Sequence, residues 1–137
     1  MNNTERKAIL CVDDEAIILM HLVMILEQRY GSRFLFAKAS NAEKGMDILA
    51  KLYAEGIRVI MIVSDWLMPG INGDAFIQLV HKTYPDIKAI LISGKIDKNS
   101  LGENTVNTSF AGFLSKPIIA EDLYVLIDNI LSDNKSM

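Results

Sequence analysis

The sequence predicts an α/β domain in which helices cover both faces of a five-stranded parallel sheet. Short runs of mostly apolar residues recur along the chain and alternate with longer segments of helical character. This alternation indicates βαβ units with right-handed crossovers, and therefore a doubly wound sheet. The 137 residues contain no internal repeat or linker, so one domain is expected, with a core over about residues 7–131 and a polar tail over residues 132–137.

The composition argues against several classes of protein. A net charge of -3 and the lack of any Lys/Arg-rich run disfavour nucleic-acid binding by this chain. The polar start does not have the apolar core of a signal peptide, and the longest apolar run is too short to span a bilayer. The single cysteine, Cys11, lies in an apolar strand, so no disulfide is expected and a cytoplasmic location is predicted.

The first strand is predicted over residues 8–12 and runs directly into Asp13 and Asp14. Good helix formers without Gly or Pro then predict a helix over residues 16–30, closed by Gly31. This helix has more apolar residues than one core-facing stripe requires. The additional stripe contains Leu19, Met20, Val23 and Met24. It is interpreted either as more deeply buried or as a surface that docks a partner protein.

A second strand is predicted over residues 34–38, followed by a helix to about residue 54. Ser40 and Glu43 form a capping-box pattern at the start of this helix, and Gly56 is expected to end it. Its core side chains are expected to be Met46, Leu49 and Leu52.

The third strand, over residues 58–63, is almost entirely apolar, which is typical of a strand buried on both faces of a parallel sheet. It ends close to Asp65, and a loop marked by a Pro-Gly pair and by Asn72-Gly73 follows. A third helix is expected to stop before Pro85. Its predicted core side chains are Phe76, Leu79 and Val80.

The fourth strand is predicted over residues 88–92 and ends at Ser93. Residues 95–111 are mostly polar and include three asparagines and one glycine, so a fourth helix there is expected to be weak and short. A fifth strand over residues 112–115 precedes Lys116, and a final amphipathic helix leads into the polar tail. The core residues of that helix are expected to be Leu123, Leu126, Ile127 and Ile130.

The residues that carry chemistry follow the predicted strands. Because the carboxyl ends of parallel strands meet at one edge of a sheet, Asp13, Asp14, Asp65, Ser93 and Lys116 are expected to lie close together. Crowded carboxylates require a cation, and oxygen ligands completed by water favour Mg²⁺. The remaining acid can then attack a phosphoryl group whose charge Mg²⁺ and Lys116 stabilise.

These motifs resemble the receiver domain of two-component response regulators over nearly the whole chain. The acid pair, Asp65 followed by Met68-Pro69-Gly70 and Gly73, the hydroxyl of Ser93 and the Lys116-Pro117 pair occur at the family's positions and in its order. The resemblance implies a flavodoxin-like fold with strand order 2-1-3-4-5. The natural-looking start and short tail are interpreted as favouring a complete, single-domain regulator.

The resemblance also implies the role of each residue in the site. Asp65 would accept a phosphoryl group from a phosphohistidine on a sensor kinase or a histidine phosphotransfer protein. Asp14, Asp65 and the backbone carbonyl of Leu67 would ligate Mg²⁺ directly, while Asp13 would act mainly through water. Lys116 would contact the phosphoryl group, and its bond to the following proline would be cis.

A switch and a partner surface are implied as well. Ser93 and Phe113 match the family's switch pair, in which the hydroxyl binds the phosphoryl group and the aromatic ring turns inward. The apolar side chain of Leu67 cannot orient an attacking water, so slow self-dephosphorylation is predicted. The kinase or phosphotransfer protein is expected to dock on the first helix, and a downstream protein effector is also expected. The expected docking residues are Ala16, Leu19, Met20 and Val23.

Other functions were weighed against this one. Hydrolases with an Asp nucleophile on a similar fold carry a second acid two residues later, where this chain has Leu67. A non-phosphorylated scaffold is disfavoured because no member of the acid set is missing and Lys116 is present. A homodimer is left open.

Overall fold

The computed structural model describes residues 5–94 and 110–135, with side chains described as far as residue 132. Strands and helices alternate as predicted up to residue 94. In chain order they are β1 (Lys7–Val12), α1 (Ala16–Tyr30), β2 (Leu35–Ala39), α2 (Ala42–Ala54), β3 (Arg58–Asp65), α3 (Gly73–Thr83), β4 (Lys88–Ser93), β5 (Phe110–Ser115) and α4 (Ala120–Lys135). The weak fourth helix predicted from the sequence falls on residues 95–109, which lie outside the described residues.

The five strands form one sheet in the order β2-β1-β3-β4-β5, and every neighbouring pair is parallel. The predicted order and doubly wound, flavodoxin-like fold class are therefore confirmed. In β1, β3 and β4 nearly all residues are buried, because helices cover both faces of the sheet.

Two apolar cores lie on opposite faces of this sheet. On one face, α2 and α3 contribute Leu49, Phe76 and Val80, which are fully buried. On the other face, α1 and α4 contribute Leu26 and Ile127, also fully buried. Each such side chain stabilises the fold by about 1.5 to 3 kcal/mol, so the two layers hold the strand ends in fixed positions. In the described part of the chain, no helix is both long and apolar enough to cross a membrane.

The end of α1 differs from the prediction. Gly31 has a right-handed φ of -53°, so it does not close α1 in the left-handed conformation that was expected. Instead the Tyr30 carbonyl accepts hydrogen bonds from the N–H groups of Arg33 and Phe34, at 2.8 and 3.3 Å.

The cap of α2 is Asn41 rather than Ser40. Its side-chain oxygen accepts a hydrogen bond from the Lys44 N–H at 2.8 Å, so the predicted capping box of Ser40 and Glu43 was wrong by one residue. The end of α2 agrees with the prediction, because Gly56 follows it with a φ of +79°, which glycine adopts without strain.

Three further details were predicted incorrectly. Leu79 is 41% exposed, and the core position expected for it is taken by Ile77, which is 1% exposed. The strand β5 begins at Phe110, inside the segment that was predicted to be irregular. Finally, α4 continues to Lys135, so most of the predicted polar tail is helical.

Candidate functional site

Three carboxylates meet at the carboxyl edge of the sheet. One oxygen each from Asp13, Asp14 and Asp65 lies within 4.8 Å of the others. Asp13 directly follows β1 and Asp65 is the last residue of β3, and these strands are paired side by side. Asp13 and Asp65 are only 3% and 5% exposed, whereas Asp14 faces solvent. The topology therefore brings together all three acids predicted from the sequence.

Lys116 lies against these acids from the end of β5. Its Nζ is 3.3 Å from Oδ1 of Asp65 and 3.4 Å from Oδ2 of Asp13. A third carboxylate, Glu15, lies 3.7 Å from the same ammonium, a contact that the sequence analysis did not predict. The peptide bond between Lys116 and Pro117 is cis, as the resemblance implied.

One ammonium does not neutralise this group of acids. Burial raises the pKa of both Asp13 and Asp65, and the charge of Asp13 raises the pKa of Asp65 further. Burial lowers the pKa of Lys116, but the two carboxylates outweigh this effect, so its pKa is raised overall. The site thus holds excess negative charge in a partly desolvated setting, which favours binding of a cation with oxygen ligands.

Main-chain hydrogen bonds hold the strand ends in register around the site. The Trp66 N–H donates to the carbonyl of Ile92, and the Lys116 N–H donates to the carbonyl of Ser93, both at 2.8 Å. These bonds extend the pairing of β3 with β4 and of β4 with β5 past the last strand residues. Asp65 and Lys116 therefore approach each other from fixed backbone positions.

Gly73 makes a close contact whose importance sequence reasoning missed. It is the first residue of α3, and its N–H donates to the Trp66 carbonyl at 2.6 Å. A Cβ atom at this position would lie 2.3 Å from the backbone carbonyl oxygen of Asp65. The sequence shows a Gly eight residues after the acid, but only the structure shows that this glycine lets α3 pack against the Asp65 backbone.

Ser93 lies on β4, the strand between β3, which ends at Asp65, and β5, which Lys116 follows. It is the last residue of β4, is 3% exposed and is in register with Ser115 on β5, while Asp65 on β3 is in register with the preceding Ile92. The predicted switch hydroxyl is thus buried at the same edge as Asp65 and Lys116.

Phe113 precedes Lys116 by three residues, and Leu67 follows Asp65 by two. Phe113 is partly buried in β5, and its ring packs edge-on against Phe110 with centroids 5.4 Å apart. Leu67, two residues after Asp65, has a side chain that is 63% exposed.

An apolar surface lies next to the site on the first half of α1. Ile17, Met20 and Met24 are 78%, 60% and 47% exposed. Beside them a groove of about 410 Å³ separates α1 from the segment that follows β5, and its lining includes His21 and Lys116. We name the three exposed side chains together with this groove the α1 surface.

The α1 surface differs in part from the predicted docking residues. Ala16 and Met20 are exposed as expected, but Leu19 is 8% exposed and packs in the core with Leu22, so its prediction as a docking residue was wrong. Val23 is partly buried against the same core. The helical period turns these two side chains toward the sheet.

Comparisons with known proteins agree with this geometry. The family described as the response regulator receiver domain matches residues 9–128. The sensor kinase CckA of Brucella abortus (strain 2308) is 29% identical over 123 residues, 90% of this chain, and the chain spans 12% of that kinase's length.

Solved receiver structures have the same fold. A response regulator receiver domain protein from Clostridium thermocellum is 25% identical, with a TM-score of 0.78 over 94% of this chain and 97% of that one. A CheY-like receiver domain protein from Methanospirillum hungatei JF-1 is 27% identical, with a TM-score of 0.77 over 96% of this chain and 98% of that one. The chain therefore belongs to the response regulator receiver domain family, whose members are signalling domains of two-component systems.

Proposed function

We propose that this receiver accepts a phosphoryl group on Asp65 from a phosphohistidine of a sensor kinase or a histidine phosphotransfer protein. One observation carries the proposal: the Asp65 carboxylate, at the tip of a buried strand, lies 3.3 Å from the Lys116 ammonium and within 4.8 Å of two further acids. A nucleophile, a cation for the transferring group and further oxygen ligands are therefore close together.

In the proposed step, an oxygen of Asp65 attacks the phosphorus in line. An O–P bond forms while the P–N bond of the phosphohistidine breaks, and the released imidazole nitrogen takes up a proton. The Lys116 ammonium is placed to stabilise charge on the transferring oxygens. The main-chain bonds at Trp66 and Lys116 hold both groups before the donor arrives, which lowers the entropic cost of the step.

The donor set of the site fits Mg²⁺. Carboxylate oxygens are the ligands this ion prefers, and the excess negative charge of the three acids attracts a cation. We assign direct contacts to Asp14, Asp65 and the backbone carbonyl of Leu67, and a water-mediated one to Asp13. When bound, Mg²⁺ supplies positive charge and orients the phosphoryl oxygens.

The side chain at position 67 is proposed to lengthen the life of the phosphorylated state. Leu67 follows Asp65 by two residues, is exposed and has no group that can hydrogen-bond an attacking water. In Leu67→Asn, phosphate loss from the labelled chain should be several-fold faster. An unchanged or slower rate would contradict this role.

Ser93 and Phe113 are proposed as the switch that responds to phosphorylation. The added charge would draw the Ser93 hydroxyl toward a phosphoryl oxygen, and the Phe113 ring would move into the space that opens. Fluorine NMR of fluoro-phenylalanine at position 113 should show a phosphorylation-dependent shift that is lost in Ser93→Ala. A spectrum that does not change on phosphorylation would rule this switch out.

The α1 surface is proposed as the docking site of the phosphohistidine protein. Its groove reaches Lys116, so a helix lying against Met20 would carry its histidine toward Asp65. Met20→Glu should slow transfer from the kinase without slowing labelling by a small phosphoramidate. Val125→Glu on α4 is the matched control, because Val125 is also exposed, at 51%. Equal effects of the two variants on kinase transfer would argue against this docking site.

The direct test of the function is phosphotransfer from a sensor kinase in the presence of Mg²⁺. Asp65→Ala should abolish the acid-stable, base-labile label expected of an acyl phosphate, and chelation of Mg²⁺ should suppress it. Asp74→Ala is the control, since Asp74 lies in the first turn of α3 and outside the acid cluster. Label that survives in Asp65→Ala would refute the proposal.

A further inference from the structure

The amino-terminal edge of the sheet carries a cluster of cations. Lys7, Arg58 and Lys88 are the first residues of β1, β3 and β4, which are neighbours in the sheet. Arg33 precedes Leu35, where the next strand β2 begins. Four adjacent strands therefore start at or just after a basic residue, although the chain as a whole has a net charge of -3.

These four cations line a single cavity of about 510 Å³, and Asp86 also contributes to its wall. The apolar part of the wall includes Pro85 and three side chains that pack against the core between the sheet and the layer formed by α1 and α4, namely Phe34, Ile60 and Leu131. The cavity thus combines an excess of positive charge with an apolar floor. Its volume is in the range of pockets that bind small ligands.

Among the residues that the structure describes, one of these four cations forms an ion pair. Arg58 pairs with Glu5 at 3.5 Å, and both side chains are about half exposed. Arg33 lies over the ring of Phe34, 5.3 Å from its centroid. Among the described residues, no carboxylate forms an ion pair with Lys7, Arg33 or Lys88.

We propose that this cavity binds a phosphorylated small molecule that carries an aromatic ring, the chemistry of a nucleotide. Lys7 and Arg58 are in register on neighbouring strands, which lie about 4.8 Å apart, so these two cations can contact successive phosphate oxygens. The ring of the ligand packs on the floor at Phe34, Ile60 and Leu131. The six residues of β1 separate this cavity from the acids by about 20 Å, so it is distinct from the phosphoryl-acceptor site.

The test is a calorimetric titration of the chain with ADP, pyrophosphate and adenosine. ADP should bind most tightly, because it has both the phosphates and a ring. The double variant Arg33→Gln, Lys88→Gln should weaken ADP binding by about tenfold or more, and added salt should weaken it in the unchanged chain. Lys44→Gln is the matched control, because Lys44 is exposed on α2 and does not line the cavity.

Three outcomes would overturn the proposal: no binding of ADP, equal ADP binding by the double variant and the unchanged chain, or pyrophosphate binding as tightly as ADP. The single variant Arg33→Gln covers the case in which the double variant does not fold, since Arg33 is exposed in the turn before β2. Asp65→Asn should bind ADP as the unchanged chain does. ADP binding at the cavity and phosphoryl acceptance at Asp65 are therefore tested independently, and either proposal can be refuted without the other.

Discussion

The two edges of the sheet carry opposite charges and differ in how much of that charge is buried. At the carboxyl edge, Asp13 and Asp65 are 3% and 5% exposed, and Lys116 is the cation in contact with both. At the amino edge, Arg58 keeps about half of its side chain in water. A cluster of like charges costs little when solvated and much more when desolvated.

This difference indicates that folding costs electrostatic free energy at the carboxyl edge. The pKa values of Asp13 and Asp65 are raised chiefly by burial, so their charges oppose folding until a cation binds. Buried charges without full compensation are characteristic of sites with chemistry to perform. The amino edge is better suited to hold a ligand by surface attraction than to carry out a reaction.

The largest effect is expected from Lys116→Ala, which removes the cation from the buried acids. Without Mg²⁺ the free energy of unfolding should fall by about 2 to 3 kcal/mol, because Asp13 and Asp65 lose their common partner. Labelling of Asp65 should also fall at least about a hundredfold. Urea unfolding and phosphotransfer assays measure the two effects.

The matched change at the opposite edge is Lys88→Ala. Because Lys88 has no ion pair within the described residues, its loss should change the free energy of unfolding by no more than about 0.5 kcal/mol. Equal losses in the two variants would contradict the distinction between the edges.

The next largest effect is expected from Gly73→Ala, which leaves every charge in place but displaces the backbone. The new Cβ would lie 2.3 Å from the Asp65 carbonyl oxygen, so α3 or the end of β3 must move. We expect a loss of about 1 to 3 kcal/mol in the free energy of unfolding and slower labelling of Asp65. Gly94→Ala is the control, since a Cβ there meets nothing within 4 Å. Normal labelling of Asp65 in both Gly73→Ala and Gly94→Ala would show that phosphoryl transfer does not depend on the exact backbone position of Asp65.

A smaller effect of opposite sign is expected from Asp13→Asn. Neutralising this buried acid relieves desolvation, so without Mg²⁺ the free energy of unfolding should rise by about 1 kcal/mol. The amide oxygen can still accept the Glu15 N–H that Asp13 accepts at 2.8 Å. Binding of Mg²⁺ should weaken in the same variant. A variant that is less stable without the metal would show that Asp13 acts mainly as a structural partner of Lys116.

The smallest effect is expected at Asp128, a carboxylate near the amino edge, both of whose oxygens accept hydrogen bonds. It accepts hydrogen bonds from Arg29 and from the Tyr30 hydroxyl, the latter at 2.7 Å. Partial burial raises its pKa, but these two donors outweigh burial and hold the pKa below its ordinary value of 3.8. The resulting stability is present above that value and is lost as the pH falls through the lowered pKa.

Asp128→Asn should therefore reduce stability slightly at neutral pH, because the pair is exposed and screened by solvent. The difference between the variant and the unchanged chain should shrink in acid, and urea midpoints measured across the acid range would show it. A difference that grows as the pH falls would show that the pKa of Asp128 is not lowered in the folded protein.

Much of the site could be predicted from sequence because parallel strands place their ends together. Asp13, Asp65, Ser93 and Lys116 each follow or end an apolar run, so no side-chain detail was needed to place them at one edge. Lys7, Arg58 and Lys88 begin strands in the same way, but no familiar motif marks them.

The remaining features depend on packing that periodicity does not specify. The contact of Gly73 with the Asp65 carbonyl arises from the close approach of α3, and the reach of Glu15 to Lys116 from the path of the chain after β1. The burial of Leu19 and the exposure of Leu79 depend on how each helix is rotated against the sheet. Helix rotation is set by the whole core, whereas the strand ends are set by topology alone.

The most direct test of this account is a titration with Mg²⁺ followed by the fluorescence of Trp66, the one tryptophan of the chain and the neighbour of Asp65. We expect a saturable change that is lost in Asp65→Asn and weakened in Asp13→Asn, but is kept when Arg33 and Lys88 are replaced by Gln. A response that survives in Asp65→Asn, or one that is lost with the amino-edge cations, would contradict the assignment of the metal and phosphoryl chemistry to the carboxyl edge.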